Sequence, residues 1–279
     1  MHDSDSKLFF ISGVSSGFGR AFAEAALAAG HRVVGSLRSA ADLQAFEQDP
    51  SGRAFGVLLD VTDDAAIDAA IAGVERDHGP IEVLVNNAGY GHEGILEESP
   101  LAELRRQFDV NLFGAVALIK AVLPGMRQRR SGRIINITSM GGFITMPGIA
   151  YYCGSKFALE GISETLASEV MDFGIFVTAV APGSFRTYWA GRSMQRSERS
   201  IADYDALFGP IRAAREGKSG RQNGDPRKAA QVLLQLVAME SPPTHLLLGS
   251  DALQLVQAKL AALQDEIARY AELSRSTDF

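Results

Sequence analysis

A chain of 279 residues, 46% of them hydrophobic and 22% charged, holds enough apolar material for one soluble α/β domain with a sizeable core. Its net charge of −6 offers no basic footprint for nucleic acid or an acidic membrane surface. The single cysteine, Cys153, excludes an intrachain disulfide and suits a reducing, cytoplasmic setting, and the five histidines (His2, His31, His78, His92, His245) show no metal-ligand spacing.

The first seven residues are polar, without the basic start or apolar run of a secretion signal. No segment reads as apolar over the ~18 residues that a membrane helix needs. Residues 8–11 (LFFI) suit a short buried strand. They feed Ser12-Gly13-Val14-Ser15-Ser16-Gly17-Phe18-Gly19-Arg20 and an alanine-rich helix to about residue 29. A strand, a glycine turn and a helix N-terminus together make a phosphate site: glycines let the backbone approach, and free N–H groups and the helix dipole face the anion. The Gly-x-x-x-Gly-x-Gly spacing differs from the commoner G-x-G-x-x-G. Residues 32–37 form the second strand, with Arg38 at its carboxyl end. An acid there binds ribose hydroxyls, whereas an arginine accommodates a 2′-phosphate. With no acid at Ser36, Leu37 or Arg38, NADP(H) is expected over NAD(H), with Ser36 and Ser39 as helpers.

A third strand over 54–59 ends in Asp60-Val61, where Asp60 can accept from an adenine amine beside the Val61 backbone. Residues 63–78 read as an amphipathic helix. The fourth strand, 81–85, runs into Asn86-Asn87-Ala88-Gly89, the small and amide residues expected where a cofactor crosses a sheet. A long helix spans about 100–129, and Asn111 lies among Phe108, Val110 and Leu112, so its amide needs a partner. Ser139 sits at the tip of a fifth strand, 133–138, before a loop with Gly141 and Gly142. A helix over 151–173 and a sixth strand over 175–180, ending in Ala181-Pro182-Gly183, continue the repeat. Repeated strand–helix units imply a parallel sheet with helices on both faces.

Residues 187–224 break the pattern, with Trp189, Arg192, Arg196, Arg199, Phe208, Arg212 and Arg215, no clean strand, and helical stretches near 201–207 and 211–216. Substrate lids are placed at such positions past a strand's carboxyl end. The lid arginines either meet substrate or are solvated. A helix over 226–239 and a seventh strand over 244–248 follow. The last helix carries Leu253, Val256, Leu260, Leu263, Ile267 and Tyr270, a three-four stripe expected to bury against the body or a partner chain.

Tyr152 and Lys156 lie four apart, on one face of the 151–173 helix. A free tyrosine titrates near ~10, too high for acid–base work at neutral pH. A lysine cation beside it favours the phenolate. Cys153 reads as a small packed residue and not as a nucleophile.

With these residues in place, the sequence resembles the classical branch of the short-chain dehydrogenase/reductase superfamily. The family's T-G-x-x-x-G-x-G matches Ser12 to Gly19 with serine for threonine, its N-N-A-G matches Asn86 to Gly89, and its P-G-x-x-x-T matches Pro182, Gly183 and Thr187. Its active-site asparagine, serine and Y-x-x-x-K match Asn111, Ser139, Tyr152 and Lys156. A weaker likeness to 17β-hydroxysteroid and retinol dehydrogenases rests on Arg38 and the extended C-terminus.

The resemblance implies a Rossmann-type doubly wound sheet of about seven strands, and hydride transfer between nicotinamide and an alcohol or carbonyl. Tyr152 would exchange the proton, Ser139 would stabilise the oxyanion, Lys156 would hold the nicotinamide ribose and lower the Tyr152 pKa, and Asn111 would hold a relay water. Gly13, Ser15, Ser16, Gly17, Phe18, Gly19, Arg38, Asp60, Val61, Asn87, Ala88, Gly89, Tyr152, Lys156, Pro182, Gly183 and Thr187 would contact the cofactor. The chain is expected to be one NAD(P)-binding domain over 1–279, with a lid at 187–224 and a C-terminal helical extension at 250–273. Phe143, Met146, Tyr188 and Trp189 are candidate walls for a hydrophobic small-molecule substrate. Relatives pair through the helices beginning near Pro100 and Tyr151, so a homodimer or homotetramer is expected. The competing reading is a catalytically silent NADP(H)-sensing protein, which an intact tetrad disfavours.

Overall fold

In the computed structural model, which describes residues 6–187, 189, 191 and 193–279, the chain alternates strand and helix. β1 (Leu8–Ile11), α1 (Gly17–Ala28), β2 (Arg32–Leu37), α2 (Ala40–Glu47), β3 (Ala54–Leu58), α3 (Asp64–His78) and β4 (Val83–Asn86) come first. β5 (Gly91–Glu93), α4 (Leu101–Phe108), α5 (Gly114–Arg129), β6 (Gly132–Ile137), α6 (Ala150–Val170) and β7 (Ile175–Pro182) follow. β8 (Met194–Arg196), α7 (Asp205–Gly217), α8 (Pro226–Ala238), β9 (His245–Leu248), α9 (Ser250–Arg269) and α10 (Ala271–Arg275) complete the chain.

The main sheet has the order β3-β2-β1-β4-β6-β7-β9, every neighbouring pair parallel. This is the doubly wound fold expected from the strand–helix repeat. The apolar runs are buried on both faces because successive side chains point to opposite sides. Phe9, Ile11, Val33, Val83 and Val85 pack on one side with α1 and α8 residues such as Phe22 and Leu233. Leu8, Phe10, Val34, Leu84 and Ile134 pack on the other with Ile67, Leu118, Val122 and Leu166. Strand order reverses between β1 and β4, which opens a crevice at their carboxyl ends, the place where such sheets bind ligands.

Several elements depart from the sequence reading. The helix expected over 100–129 is interrupted by a π turn, Asp109–Phe113, between α4 and α5. That composite helix, Leu101–Arg129, does contain an 18-residue window of mean hydropathy 1.5, contrary to the sequence reading of no such segment. Leu118, Ile119, Val122 and Met126 of α5 use that hydrophobicity in the core. Within 187–224 there is a strand after all, β8, which pairs in parallel with β5. The two helical stretches resolve into a short 3₁₀ turn, Ala202–Tyr204, and one helix, α7. α2 escapes a periodicity reading because it buries no residue; Ser39 caps it by accepting from the Asp42 N–H.

Candidate active site

The glycine loop and the turn after β4 form one knot at the crevice. Gly13 and Gly17 sit at φ of +74° and +60°, conformations open to glycine. The Ser12 hydroxyl accepts from the N–H groups of Asn87 (2.9 Å) and Ala88 (3.0 Å). The Asn87 amide donates back to the carbonyls of Ser12 (3.0 Å) and Gly13 (2.9 Å). Gly19 lies against this knot: a Cβ there would stand 2.1 Å from the Gly13 oxygen and 2.4 Å from Asn87 Nδ2. Ser16 precedes α1 in extended backbone without a side-chain cap bond, and no acid occupies the first turn. Ser15 is exposed, and the Phe18 ring packs at 5.0 Å from that of Phe185. Thr187 borders Gly17, and the backbone after Pro182 is pinned by Asp251, whose carboxylate accepts from the Ser184 N–H (2.9 Å) beside Gly183. Uncapped helix N–H groups over a glycine floor that at Gly19 has no room for a side chain fit the pyrophosphate of a nicotinamide dinucleotide.

At the far end of the crevice, Arg38 is exposed at the tip of β2. Asp60 accepts from the N–H (3.0 Å) and hydroxyl (2.8 Å) of Thr62. Those bonds, with Arg38 and Arg106 nearby, hold its carboxyl below the usual range. Val61 is buried and its carbonyl abuts Gly114. Ser36 corrects the sequence reading: it is buried and accepts from the Gly13 N–H (3.0 Å), so it shapes the glycine loop and presents nothing to a 2′-phosphate. The Ser39 hydroxyl accepts from the Asp42 N–H (3.4 Å) as the cap of α2 and keeps its own O–H to donate.

α6 brings Tyr152 and Lys156 to its buried face. The Lys156 ammonium donates to the Ile137 carbonyl (2.8 Å) and stands 5.9 Å from the Tyr152 ring centroid. The Ser139 hydroxyl accepts from the Gly141 N–H (3.0 Å) and faces the Tyr152 phenol. Gly141 permits that approach, since a Cβ on it would lie 3.3 Å from Tyr152 Cε1 and 3.4 Å from Ser139 Oγ. Asn111 lies in the π turn, a feature frequent at functional sites. Its amide accepts from the Tyr90 N–H (3.1 Å) and donates to the Tyr90 carbonyl (3.1 Å) and Ser155 Oγ (3.2 Å). A Cβ on Gly89 would come within 3.1 Å of its Oδ1.

Burial pushes the Tyr152 phenol well up, and the bond with Ser139 only partly opposes it. Burial also lowers Lys156 to about 8, against the pull of the Glu160 carboxylate. Glu160, four residues further along α6, escaped the sequence reading. It is buried, which raises its pKa, and it is bonded to His245 Nδ1 at 2.9 Å. Cys153 is buried with its thiol pushed up, the state of a packing residue.

Trp189 and Met146 form an apolar wall on Tyr152, the Trp189 ring centred 5.0 Å from the phenol ring. The Trp189 indole nitrogen is buried without a hydrogen-bond partner among the described residues. Phe143 turns away to meet His245 edge-on at 5.7 Å. Tyr188 and Arg192 lie outside the described residues. The described arginines of the segment expected to be a lid take a third course besides meeting substrate or being solvated: they hold acids of the body. Glu93 of β5, fully buried, takes Arg212 (2.8 Å), Arg215 (2.5 Å) and Arg196 (3.3 Å), and Arg199 pairs with Glu98 (3.4 Å). Phe208 of α7 packs on Gly148, where φ is +81° and a Cβ would lie 2.0 Å from the ring.

A family model described as short chain dehydrogenase matches residues 7–198. Oxidoreductase BOA17 of Botryotinia fuckeliana is 37% identical, over 96% of this chain and 98% of that protein. A 3-ketodihydrosphingosine reductase of Bacteroides thetaiotaomicron is 35% identical, over 95% and 96% respectively. The crystal structure of a short-chain dehydrogenase from Streptomyces avermitilis superposes with a TM-score of 0.91 at 40% identity, covering 99% of this chain and 100% of that one.

Proposed function

The chain belongs to the short-chain dehydrogenase family and is an oxidoreductase, and from that premise we propose that it reduces an apolar ketone or aldehyde with NADPH, Tyr152 supplying the proton. The observation that carries the reading is the buried Tyr152–Ser139–Lys156 group, walled by Trp189 and Met146, at the end of the glycine-floored crevice. The nicotinamide dinucleotide, when bound, supplies the hydride. Gly13, Gly17, Gly19 and the first turn of α1 hold its pyrophosphate, and Arg38 favours a 2′-phosphate.

Tyr152, kept protonated by burial, donates to the substrate oxygen as negative charge grows there. Ser139 Oγ donates to the same oxygen, an oxyanion contact whose value rises in a site closed to water. Lys156 then faces a phenolate, and its ammonium, held in place by the Ile137 carbonyl, stabilises that charge. Asn111 ties the π turn before α5 to α6 through Ser155 and so fixes the helix that presents both groups. The apolar wall selects a hydrophobic carbonyl, in keeping with a relative named as a 3-ketodihydrosphingosine reductase.

The test is NADPH oxidation against a panel of long-chain ketones, aldehydes and steroid-like carbonyls, with NADH in parallel. Turnover should require Tyr152, with Tyr152→Phe at least ~10²-fold slower. Arg38→Ala should weaken NADPH and leave NADH binding near its starting value. A wild type that prefers NADH removes the Arg38 reading. Near-normal turnover in Tyr152→Phe removes Tyr152 from the chemistry.

A further inference from the structure

Beyond Val256 the C-terminal helix leaves the body of the molecule, and none of the described residues covers it. Of α9, only Ala252 and Val256 are buried, and residues 257–270 are exposed on every side. Leu260 is 54% exposed, Leu263 40%, Ile267 64% and Tyr270 51%. A helix this length is marginal in water unless its apolar stripe is covered. The stripe itself is ordered: Leu253, Val256, Leu260, Leu263, Ile267 and Tyr270 follow alternating steps of three and four, the 3.5-residue period of a coiled-coil seam, and beyond Val256, which the body already covers, Leu260, Leu263, Ile267 and Tyr270 are its open part.

We propose that this seam pairs with the same helix of a second copy of the chain, antiparallel about a two-fold axis near Leu260 and Leu263. The flanking charges select that arrangement. Antiparallel pairing centred there sets Leu260 against Leu263 of the second copy. It also brings Lys259 beside the opposing Glu266, and symmetry makes that pair twice. Parallel pairing would face Lys259 with Gln264 and Glu266 with Ala271, making no ion pair. The small residues Ala258, Ala261, Ala262 and Ala268 keep the arm slender and strongly helical.

A membrane surface is the poorer occupant. Residues 257–279 carry Lys259, Arg269 and Arg275 against Asp265, Glu266, Glu272 and Asp278, whereas interfacial helices are rich in basic residues. The seam is also separate from the outer faces of α4, α5 and α6, where Leu101, Phe113 and Phe157 are exposed and where pairing was expected from the family resemblance.

The experiment is light-scattering mass across a dilution series of the full chain. Leu260→Glu with Leu263→Glu should halve the particle mass while leaving NADPH oxidation unchanged, because both side chains are exposed and lie outside the crevice. Lys259→Glu and Glu266→Lys should each raise the dissociation constant by about tenfold, and the two together should restore it. An unchanged mass in the Leu260→Glu, Leu263→Glu variant overturns the pairing. So does co-sedimentation of the wild type with phosphatidylcholine–phosphatidylglycerol vesicles that this variant loses at constant mass. If the single charge reversals weaken association but the double variant does not recover, the antiparallel register is wrong.

Discussion

Replacing Glu93 by glutamine isolates the ion pairs that fasten the β8–α7 segment, the proposed lid, to β5. The carboxylate is fully buried, one oxygen meeting Arg212 and Arg196 and the other Arg215. Burial pushes its pKa up, yet the bonds from Arg212 and Arg215 outweigh that and hold it below the usual carboxylate range. Glutamine keeps the shape and removes the charge, leaving three guanidinium groups to crowd one neutral amide. Breaking a buried pair from one side costs about 3–5 kcal/mol. The arginine side chains are 27%, 22% and 13% exposed, so water recovers part of the loss and about 3 kcal/mol is the better figure. For a chain of this size that lowers Tm by about 6–12 °C at pH 7 if the lid unfolds with the body. Because the folded pKa is depressed, this stabilisation is present above the unfolded value near ~4.3 and fades as pH falls through the folded one. The wild type and Glu93→Gln should therefore converge in acid. Calorimetry across pH 3–8, with tryptic cleavage at Arg212 and Arg215 as a local readout, checks both statements. Equal Tm values at pH 7 and equal cleavage rates would refute the reasoning.

Gly19→Ala drives a Cβ into the Gly13 carbonyl and the Asn87 amide. Losing the two Asn87 bonds at about 1 kcal/mol each weakens binding of the nicotinamide dinucleotide by roughly 30-fold, measurable by calorimetric or fluorescence titration. Glu160→Gln removes the carboxylate that opposes the fall of Lys156 to about 8. The Lys156 charge is present below its pKa and lost above it, so the alkaline limb of kcat/KM should move to lower pH in that variant. A limb that stays in place shows that Glu160 does not act on Lys156.

Much of the site was legible because its parts sit at strand ends. Gly13, Asn87, Ser139 and Gly183 each follow an apolar run, and a parallel sheet gathers such ends on one edge. Tyr152 and Lys156 needed only the helical period. Ser36 misled because its place at the tip of β2 suggested a ligand contact, whereas its hydroxyl was already taken by the Gly13 N–H. Glu93 was silent for a different reason. Its partners lie 103 to 122 residues further along, and nothing local marks an acid between His92 and Gly94 as buried. The π turn at Asn111 has no signature in periodicity, and the last helix declared its stripe without declaring what lies against it.

The 193–217 segment and the Tyr152–Lys156 pair share one strap of backbone. The Gly94 N–H, one residue after Glu93, donates to the Gly148 carbonyl (2.8 Å), and Gly94 bridges to Ile149. Ile149 in turn accepts from the Cys153 N–H (2.9 Å) at the start of α6, and its side chain packs with Tyr152. Phe208 of the lid rests on Gly148, and Arg215 donates to the Pro147 carbonyl as well as to Glu93. The contacts that seat the lid are thus the contacts that set where α6 begins, and so where the Tyr152 phenol stands. A lid that only covered substrate would influence KM alone. Because this segment bears on residues 147–149, loosening it at Glu93 also shifts Tyr152, the proposed proton donor. Displacements of that kind register in kcat, since positioning errors of about 1 Å are enough to slow chemistry markedly.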